Sequence, residues 1–354
     1  MGGNTNLSHG NGLGTIFKLT TNGLLTTLAI FNGTNGSSPT GPLVQGNDGN
    51  LYGETSQGGD LSLYAGAGAG TIFKITTNGT LTTLVIFNGF KGVHPIGGLT
   101  HISGFFPYDF YGATTGDGNG GTLFSVSTDG SFETIYDFDP DFGEGDPEGG
   151  VTYDNAGSFY VAEGPATGLF GRITRFTYSD DFGFWGPNGR VDFENSTNGM
   201  PIGNLTLAND GNLYGTTFNG GSYGWGTVYR LTPATQRAAS SLTPVASFNF
   251  DSGEPYSGVT QGSDGNFYGT SIFGGDAGNF GTIFKMFIPP PPLILGITSI
   301  SNSPVLFWPA SATNSVLQMT TNLLSGNWVT VTNGIPYYGV QITNLPSPSA
   351  FRLQ

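Results

Sequence analysis

The sequence predicts an all-β protein: a β-propeller of four-stranded antiparallel blades over residues 1–288, a proline linker at 289–292, and a small β-sandwich-like module at 293–354. Three observations predict it. A GTIFK-like run recurs at Gly14, Gly70, Gly121, Gly171, Gly226 and Gly281, at spacings of 56, 51, 50, 55 and 55 residues. The prolines Pro39, Pro95, Pro147, Pro201 and Pro255 step by 56, 52, 54 and 54 residues and report the same period independently. Finally, 61 glycines are interleaved with 28 Phe and 15 Tyr while only 10% of residues are charged, a composition for short half-buried strands joined by tight turns.

Each unit reads as four strands. The first follows the proline, as in residues 201–207, and ends in a turn such as Asp210-Gly211-Asn212. Asp-Gly and Asn-Gly pairs supply the positive φ that tight hairpins need, so this turn leads into a second strand at 213–217. A glycine-rich loop then precedes the GTIFK strand. A second hairpin, at Asn22-Gly23, Asn78-Gly79 or Asp129-Gly130, leads to a fourth strand such as 81–87. Five prolines open five first strands, which favours five blades. The first unit lacks strands one and two and the last lacks strand four, so the strand at 24–31 is expected to complete the last blade and close the ring. One GTIFK strand, 14–19 or 281–287, is then spare. That surplus leaves open a six-bladed ring with an incomplete blade, or pairing of the spare strand with another molecule.

The run Pro289 to Pro292 is a stiff polyproline spacer. Beyond it, segments at 305–308, 315–319, 328–331, 339–343 and 350–353 read as strands of the small module.

The runs DGNLYG at 48–53 and 210–215, with GTIFK, TTNG and the closing FNG of Phe31 to Gly33 and Phe87 to Gly89, resemble the GloVer tandem repeats of bacterial surface proteins, prominent in Verrucomicrobia. The resemblance covers residues 1 to about 287 and implies a propeller with a secreted or cell-surface location; it supplies no activity and no catalytic residues. A looser similarity to NHL-type propellers rests on the shared strand, DGN turn, strand layout. The end of the chain is similar to C-terminal modules of secreted Verrucomicrobial proteins, which implies anchoring or secretion, with plain packing as the equal alternative.

Composition narrows the partners. A formal net charge of −14 excludes nucleic acid, whose phosphates demand Lys and Arg, and disfavours an anionic membrane surface. No apolar run is long enough to span a bilayer, and the absence of cysteine removes disulfides and thiolate metal sites. Residues Met1-Gly2-Gly3-Asn4 lack the basic and apolar regions of a signal peptide, so a leader has been cut off or the chain begins inside a longer gene.

Positions that depart from the repeat are the candidates for function, because shared positions serve packing and turns. The stretch Asp137 to Glu148 carries a cluster of carboxylates, of which Asp137, Asp139, Asp141, Glu144 and Asp146 are the candidate oxygen ligands for Ca²⁺, the one cofactor proposed. The alternatives are a solvated acidic loop and a carboxylate pair for glycoside hydrolysis. On the same face, Tyr64, Tyr223 and Trp225 sit in glycine-rich loops and suit stacking on sugar rings, or else cap the layers between blades. On the opposite face Phe106 and Tyr108 in blade two and Trp185 in blade three form either an exposed patch for a protein contact or the mutual packing of two long hairpins. The three histidines, His9, His94 and His101, fall in different units, and no phosphate loop or serine-hydrolase elbow is present.

The functional expectation is a non-catalytic binding or structural propeller, displayed outside a bacterial cell, that recognises a polysaccharide or a surface protein through loop aromatics. A glycan-active hydrolase or lyase is the alternative, with a self-associating filament or lattice subunit behind it.

Overall fold

The structure, a computed structural model, describes residues 12–90, 92–102, 108–116, 120–165, 170–179, 184–193, 199–234, 240–275 and 280–287, together with the backbone of six strands beyond residue 295. The chain divides into two units, Met1–Met286 and Phe287–Gln354.

The first unit begins with an antiparallel pair, β1 (Thr15–Leu19) and β2 (Leu25–Ile30). Five blades follow in a propeller arrangement. Blade one is β3 (Ser37–Gln45), β4 (Leu51–Gln57), β5 (Thr71–Ile75) and β6 (Leu81–Ile86); blade two is β7 (Val93–His101), β8 (Phe110–Thr115), β9 (Thr122–Val126) and β10 (Phe132–Asp137). Blade three is β11 (Thr152–Tyr153), β12 (Ser158–Glu163), β13 (Arg172–Ser179) and β14 (Phe184–Asp192); blade four is β15 (Pro201–Leu207), β16 (Leu213–Thr217), β17 (Thr227–Thr232) and β18 (Ser241–Ser247). Blade five is described as β19 (Thr260–Gln261), β20 (Phe267–Ser271) and β21 (Thr282–Met286). In the second unit, β22 (Gly296–Ile300), β23 (Ser303–Phe307) and β26 (Val340–Gln341) form one sheet, and β24 (Val316–Thr320), β25 (Val329–Asn333) and β27 (Ala350–Leu353) another.

One expectation is corrected. The strand at 24–31 does not complete the last blade: β2 pairs with β1, and among the described residues β20 is the one neighbour of β21. The pairing Thr15↔Ile30 through Leu19↔Leu25 repeats that of Thr71↔Ile86 through Ile75↔Leu81 in blade one, with the register shift at the same place. The physical reason is locality. The hairpin is held by Thr20 N–H to Leu24 O (3.0 Å) and Gly23 N–H to Thr20 O (2.9 Å), and a loop this short costs less closure entropy than pairing with a strand at the far end of the unit.

The DGN turns owe their repetition to a side-chain lock. Asp48 accepts from the Asn50 N–H (3.1 Å) and from the Tyr52 hydroxyl (2.8 Å), and the Tyr hydroxyl bond recurs at Asp210 with Tyr214 (2.8 Å) and Asp264 with Tyr268 (2.7 Å). Tyrosines at this strand position also fill seams between blades. The ring centroids of Tyr52 and Phe110 lie 4.3 Å apart, Tyr111 and Phe159 4.7 Å, and Tyr214 and Phe267 4.4 Å, so each ring bridges from one second strand to the next. Burying rings of this size stabilises each seam by about 1.5–3 kcal/mol per side chain.

At the axis the first strands meet through glycine. A Cβ on Gly41 would lie 2.4 Å from Gly98 N, one on Gly97 1.9 Å from Gly150 N, and one on Gly203 2.5 Å from Gly258 N, so no side chain is tolerated there. Threonines then stitch neighbouring blades: the Thr40 hydroxyl donates to Pro95 O (3.2 Å), Thr152 to Leu205 O (2.8 Å), and Thr100 and Thr206 donate to Val151 O and Val259 O.

Candidate functional site: an aromatic-tipped face over a central cavity

The loops between strands two and three and the loops between blades share one face. Backbone bonds interlock them: Gly59 N–H to Gly33 O (2.8 Å), Phe218 N–H to Met200 O (2.8 Å) and Ile272 N–H to Glu254 O (2.9 Å). Phe90 and Phe142 stand at 94% and 80% exposure in two inter-blade loops, and Phe250 is exposed in a third. Tyr64, Tyr223 and Phe280 are exposed in the loops between strands two and three, and Tyr256 where blade five begins. On the hairpin face, Leu24, Leu25 and Tyr178 are exposed among the described residues, as are Leu19 and Phe287 at the hairpin ends of β1 and β21.

The densest part of the aromatic face lies between blades four and five. Trp225 is half-buried and meets Phe250 edge to face at 5.4 Å, Phe218 meets Tyr256 at 6.0 Å, and Tyr223 projects from the same glycine-rich loop. Tyr64 is set apart in a one-turn 3-10 segment, Tyr64–Gly66, with its ring against His94 at 4.9 Å.

Beneath this face the first strands of blades one, two, four and five, together with Glu148 and Gly149 ahead of β11, line a cavity of 650 Å³ whose wall includes Thr40, Ile96, Asn204, Tyr256 and Thr260. Asn204 spans three blades, donating to Gly97 O (2.6 Å) and accepting from Gly150 N–H (2.7 Å). Glu148 is the acidic residue on the described cavity wall. Burial, with the charge of Asp146 adding to it, pushes its carboxyl up to about 7, so it changes charge near neutrality.

The acidic loop is organised by its own hydrogen bonds. Asp139 accepts from Asp141 N–H (2.9 Å) at the head of the turn Pro140–Phe142. Glu144 is buried and accepts from the Tyr136 hydroxyl (2.7 Å), from Asp139 N–H (2.9 Å) and from the Arg190 guanidinium. Asp146 accepts from Gly120 N–H (3.0 Å), while Asp137 and Asp141 point to solvent. The five proposed Ca²⁺ ligands therefore do not converge, and among the described residues no three of His, Asp and Glu group as a metal site would require.

Of the two readings open for the hairpin-face candidates, Trp185 and Tyr108 follow the packing one. Trp185 is buried, stacked on Phe159 at 4.1 Å and edge-on to Tyr178 at 5.7 Å, and Tyr108 packs on the same cluster between blades two and three. They serve the seam rather than a contact patch. Phe106 lies outside the described residues.

Blade three holds a buried ion pair that the sequence reading passed over. Glu163 and Arg172 are buried 4.0 Å apart, and Arg172 also reaches Asp192 at 3.3 Å. Burial raises the Glu163 carboxyl to about 7 against the opposing effects of Thr174 and Arg172. Glu54 in blade one is buried as well, accepts from Gly98 N–H (2.7 Å), and is raised by burial to about 8. The signal was present: Glu54 stands where other units have Ala113, Ala162, Thr216 and Thr270, and Arg172 replaces the threonine of the GTIFK run.

Comparison with known proteins finds a repeat family along the chain. Residues 2–176 match the Gloeobacter/Verrucomicrobia repeat. Among solved structures, a candidate 6-phosphogluconolactonase of Bacteroides uniformis is 16% identical, with 95% of this chain and 94% of that one covered and a TM-score of 0.48. An endo-arabinase of Bacteroides thetaiotaomicron is 11% identical, with 71% and 94% covered and a TM-score of 0.40. No curated protein matches the sequence.

Proposed function

The chain belongs to the Gloeobacter/Verrucomicrobia repeat family, and from that premise we propose that it is a non-catalytic binding propeller, displayed outside a bacterial cell, whose aromatic-tipped face recognises polysaccharide. The observation that carries the reading is the set of exposed aromatics on one face: among the described residues, inter-blade and two-to-three loops present rings to solvent, while the described part of the hairpin face presents few. Solvent-facing rings suit the apolar surfaces of sugar rings, which would cover them on binding. The pair Trp225 and Phe250 forms a preset platform with Tyr223 beside it, so little side-chain entropy is lost on binding.

The test is a glycan array of the intact chain, with and without Ca²⁺, beside the double variant Tyr223→Ala/Trp225→Ala. Binding to one polysaccharide class, lowered at least about tenfold in the variant, is the expected result; a tenfold loss corresponds to about 1.4 kcal/mol. Wild-type chain that binds no glycan would sink the reading.

A second reading rests on Glu148. A carboxyl with its proton affinity near neutrality on the wall of a cavity suits a general acid of a glycan-active enzyme. Such an enzyme would release reducing sugar from the array-positive polymer and lose that activity in Glu148→Gln. The binding reading predicts no release by either protein.

A further inference from the structure

The seams between blades follow one rule along the third strands. The second residue of each strand faces the following blade, and the third and fifth residues face the preceding one. Ile16 of β1 packs with Phe73 and Ile75 of β5, Ile72 with Phe124 and Val126 of β9, and Ile173 with Tyr229 and Leu231 of β17. At the last internal seam, between blades four and five, Phe248 meets Phe284 of β21 at 4.9 Å.

Carried one step further, the rule leaves a matched pair of half-seams open to solvent. Ile283 of β21, the equivalent of Ile72 and Ile173, is 84% exposed, whereas those two are 0% and 1% exposed. Phe17 and Leu19 of β1, the equivalents of Phe73 and Ile75, are 58% and 63% exposed, against 1% and 0%. One face is built to pack onto a following blade and the other to receive a preceding one.

These faces have not met within the chain, since both are exposed.

We propose that the Ile283 face of one copy packs on the Phe17 and Leu19 face of a second copy, so that chains associate head to tail through a continuation of their own blade seam. The contact is heterologous: each copy keeps one unused half-seam, and the assembly grows as a ring or an open filament. The arrangement is independent of the glycan-binding face. With a net charge of −14, copies repel at long range, so association strengthens as salt screens that repulsion.

The test uses the full chain in sedimentation velocity at low and high salt, with Phe17→Asp and Ile283→Asp. Both side chains are exposed in the single chain, and circular dichroism checks that each variant stays folded. Wild type is expected to form a concentration-dependent series of oligomers and each variant alone to remain a monomer. An equimolar mixture of the variants is expected to stop at a one-to-one dimer, because one retains an intact Ile283 face and the other an intact Phe17 face. Wild type that stays monomeric at every concentration and salt would overturn the proposal, as would a variant that associates like wild type or a mixture that remains monomeric.

Discussion

Blades three and four share strand order and the pairing of second with third strand, yet they hold that junction by different chemistry. In blade four the hydroxyls of Thr217 and Thr227 lie 2.9 Å apart, buried, and Thr217 also accepts from the Thr227 N–H. Blades one, two and five repeat this with Thr55 and Thr71 (2.9 Å), Thr114 and Thr122 (2.8 Å), and Ser271 and Thr282 (2.7 Å). Blade three places Glu163 and Arg172 in the same two positions. The exchange is concerted: a carboxylate alone would be stranded, and Arg172 beside it, with Gly145 N–H at 3.3 Å, makes it tolerable. What the comparison teaches is that the repeat fixes a slot for a mutually satisfied polar pair and leaves the identity of the pair free.

The largest effect should come from breaking the pair on one side. Arg172→Thr leaves Glu163 buried without its counter-charge and should cost about 3–5 kcal/mol at neutral pH, read from urea unfolding. The double variant Glu163→Thr/Arg172→Thr, which installs the pair of blade four, should recover most of that loss and end within about 1 kcal/mol of wild type. A double variant as unstable as the single one would show that the ion pair does more than fill the slot.

A middle-sized effect concerns Glu54, the buried acid of blade one at the position where blade four has Thr216. Its carboxyl rises from 4.5 to about 8 in the folded chain because burial disfavours the charge. The folded state thus holds a proton that the unfolded chain releases. The stabilisation is complete below pH 4.5 and is lost as pH rises through about 8. Glu163 and Glu148 act in the same direction up to about 7. Wild type should therefore unfold more readily at pH 8 than at pH 5. Glu54→Thr should flatten that slope and stabilise the chain at pH 8 by on the order of 2 kcal/mol, since it removes a charge from an apolar seam. Urea titrations at the two pH values check it, and an unchanged slope would move the cause to the acids of blade three.

The repeat made the fold legible because its period is carried by residues with fixed local duties. Asp48, Asp210 and Asp264 lock turns, and Gly41, Gly97 and Gly203 admit close approach at the axis. The glycine-rich loops place Tyr223 at the surface, while Trp225 in the same loop is half-buried against Phe250, a contact that needs the neighbouring inter-blade loop and so is not written in the local sequence. For Trp185 the sequence left an exposed patch and mutual packing equally open, because its hairpin carries polar and glycine residues, whereas its burial depends on Phe159, two strands over in the same blade. The closing of the ring was misread because a matching strand says nothing of the competition between a local hairpin and a distant edge. Glu163 and Arg172 are visible in the sequence as departures, but their contact depends on a cross-strand register that only the fold supplies.

The smallest effect tests whether hydroxyl pairs are themselves a source of stability. Thr217→Val keeps shape and burial and removes one hydroxyl, which leaves the buried Thr227 N–H and hydroxyl each short of a partner and frees the Asn219 carbonyl that the hydroxyl met at 2.8 Å. Net hydrogen bonds contribute about 1 kcal/mol, and a buried group left unpaired costs about 1–3 kcal/mol, so a loss of about 1–2 kcal/mol in urea unfolding is expected. The paired change Thr217→Val/Thr227→Val removes both hydroxyls but still leaves the Thr227-position N–H unsatisfied. It should therefore recover only part of the loss, unlike the replacement pair in blade three, where hydroxyl and backbone partners are both restored. Full recovery would mean that the backbone N–H finds another acceptor and that the slot asks for matched shape more than matched polarity.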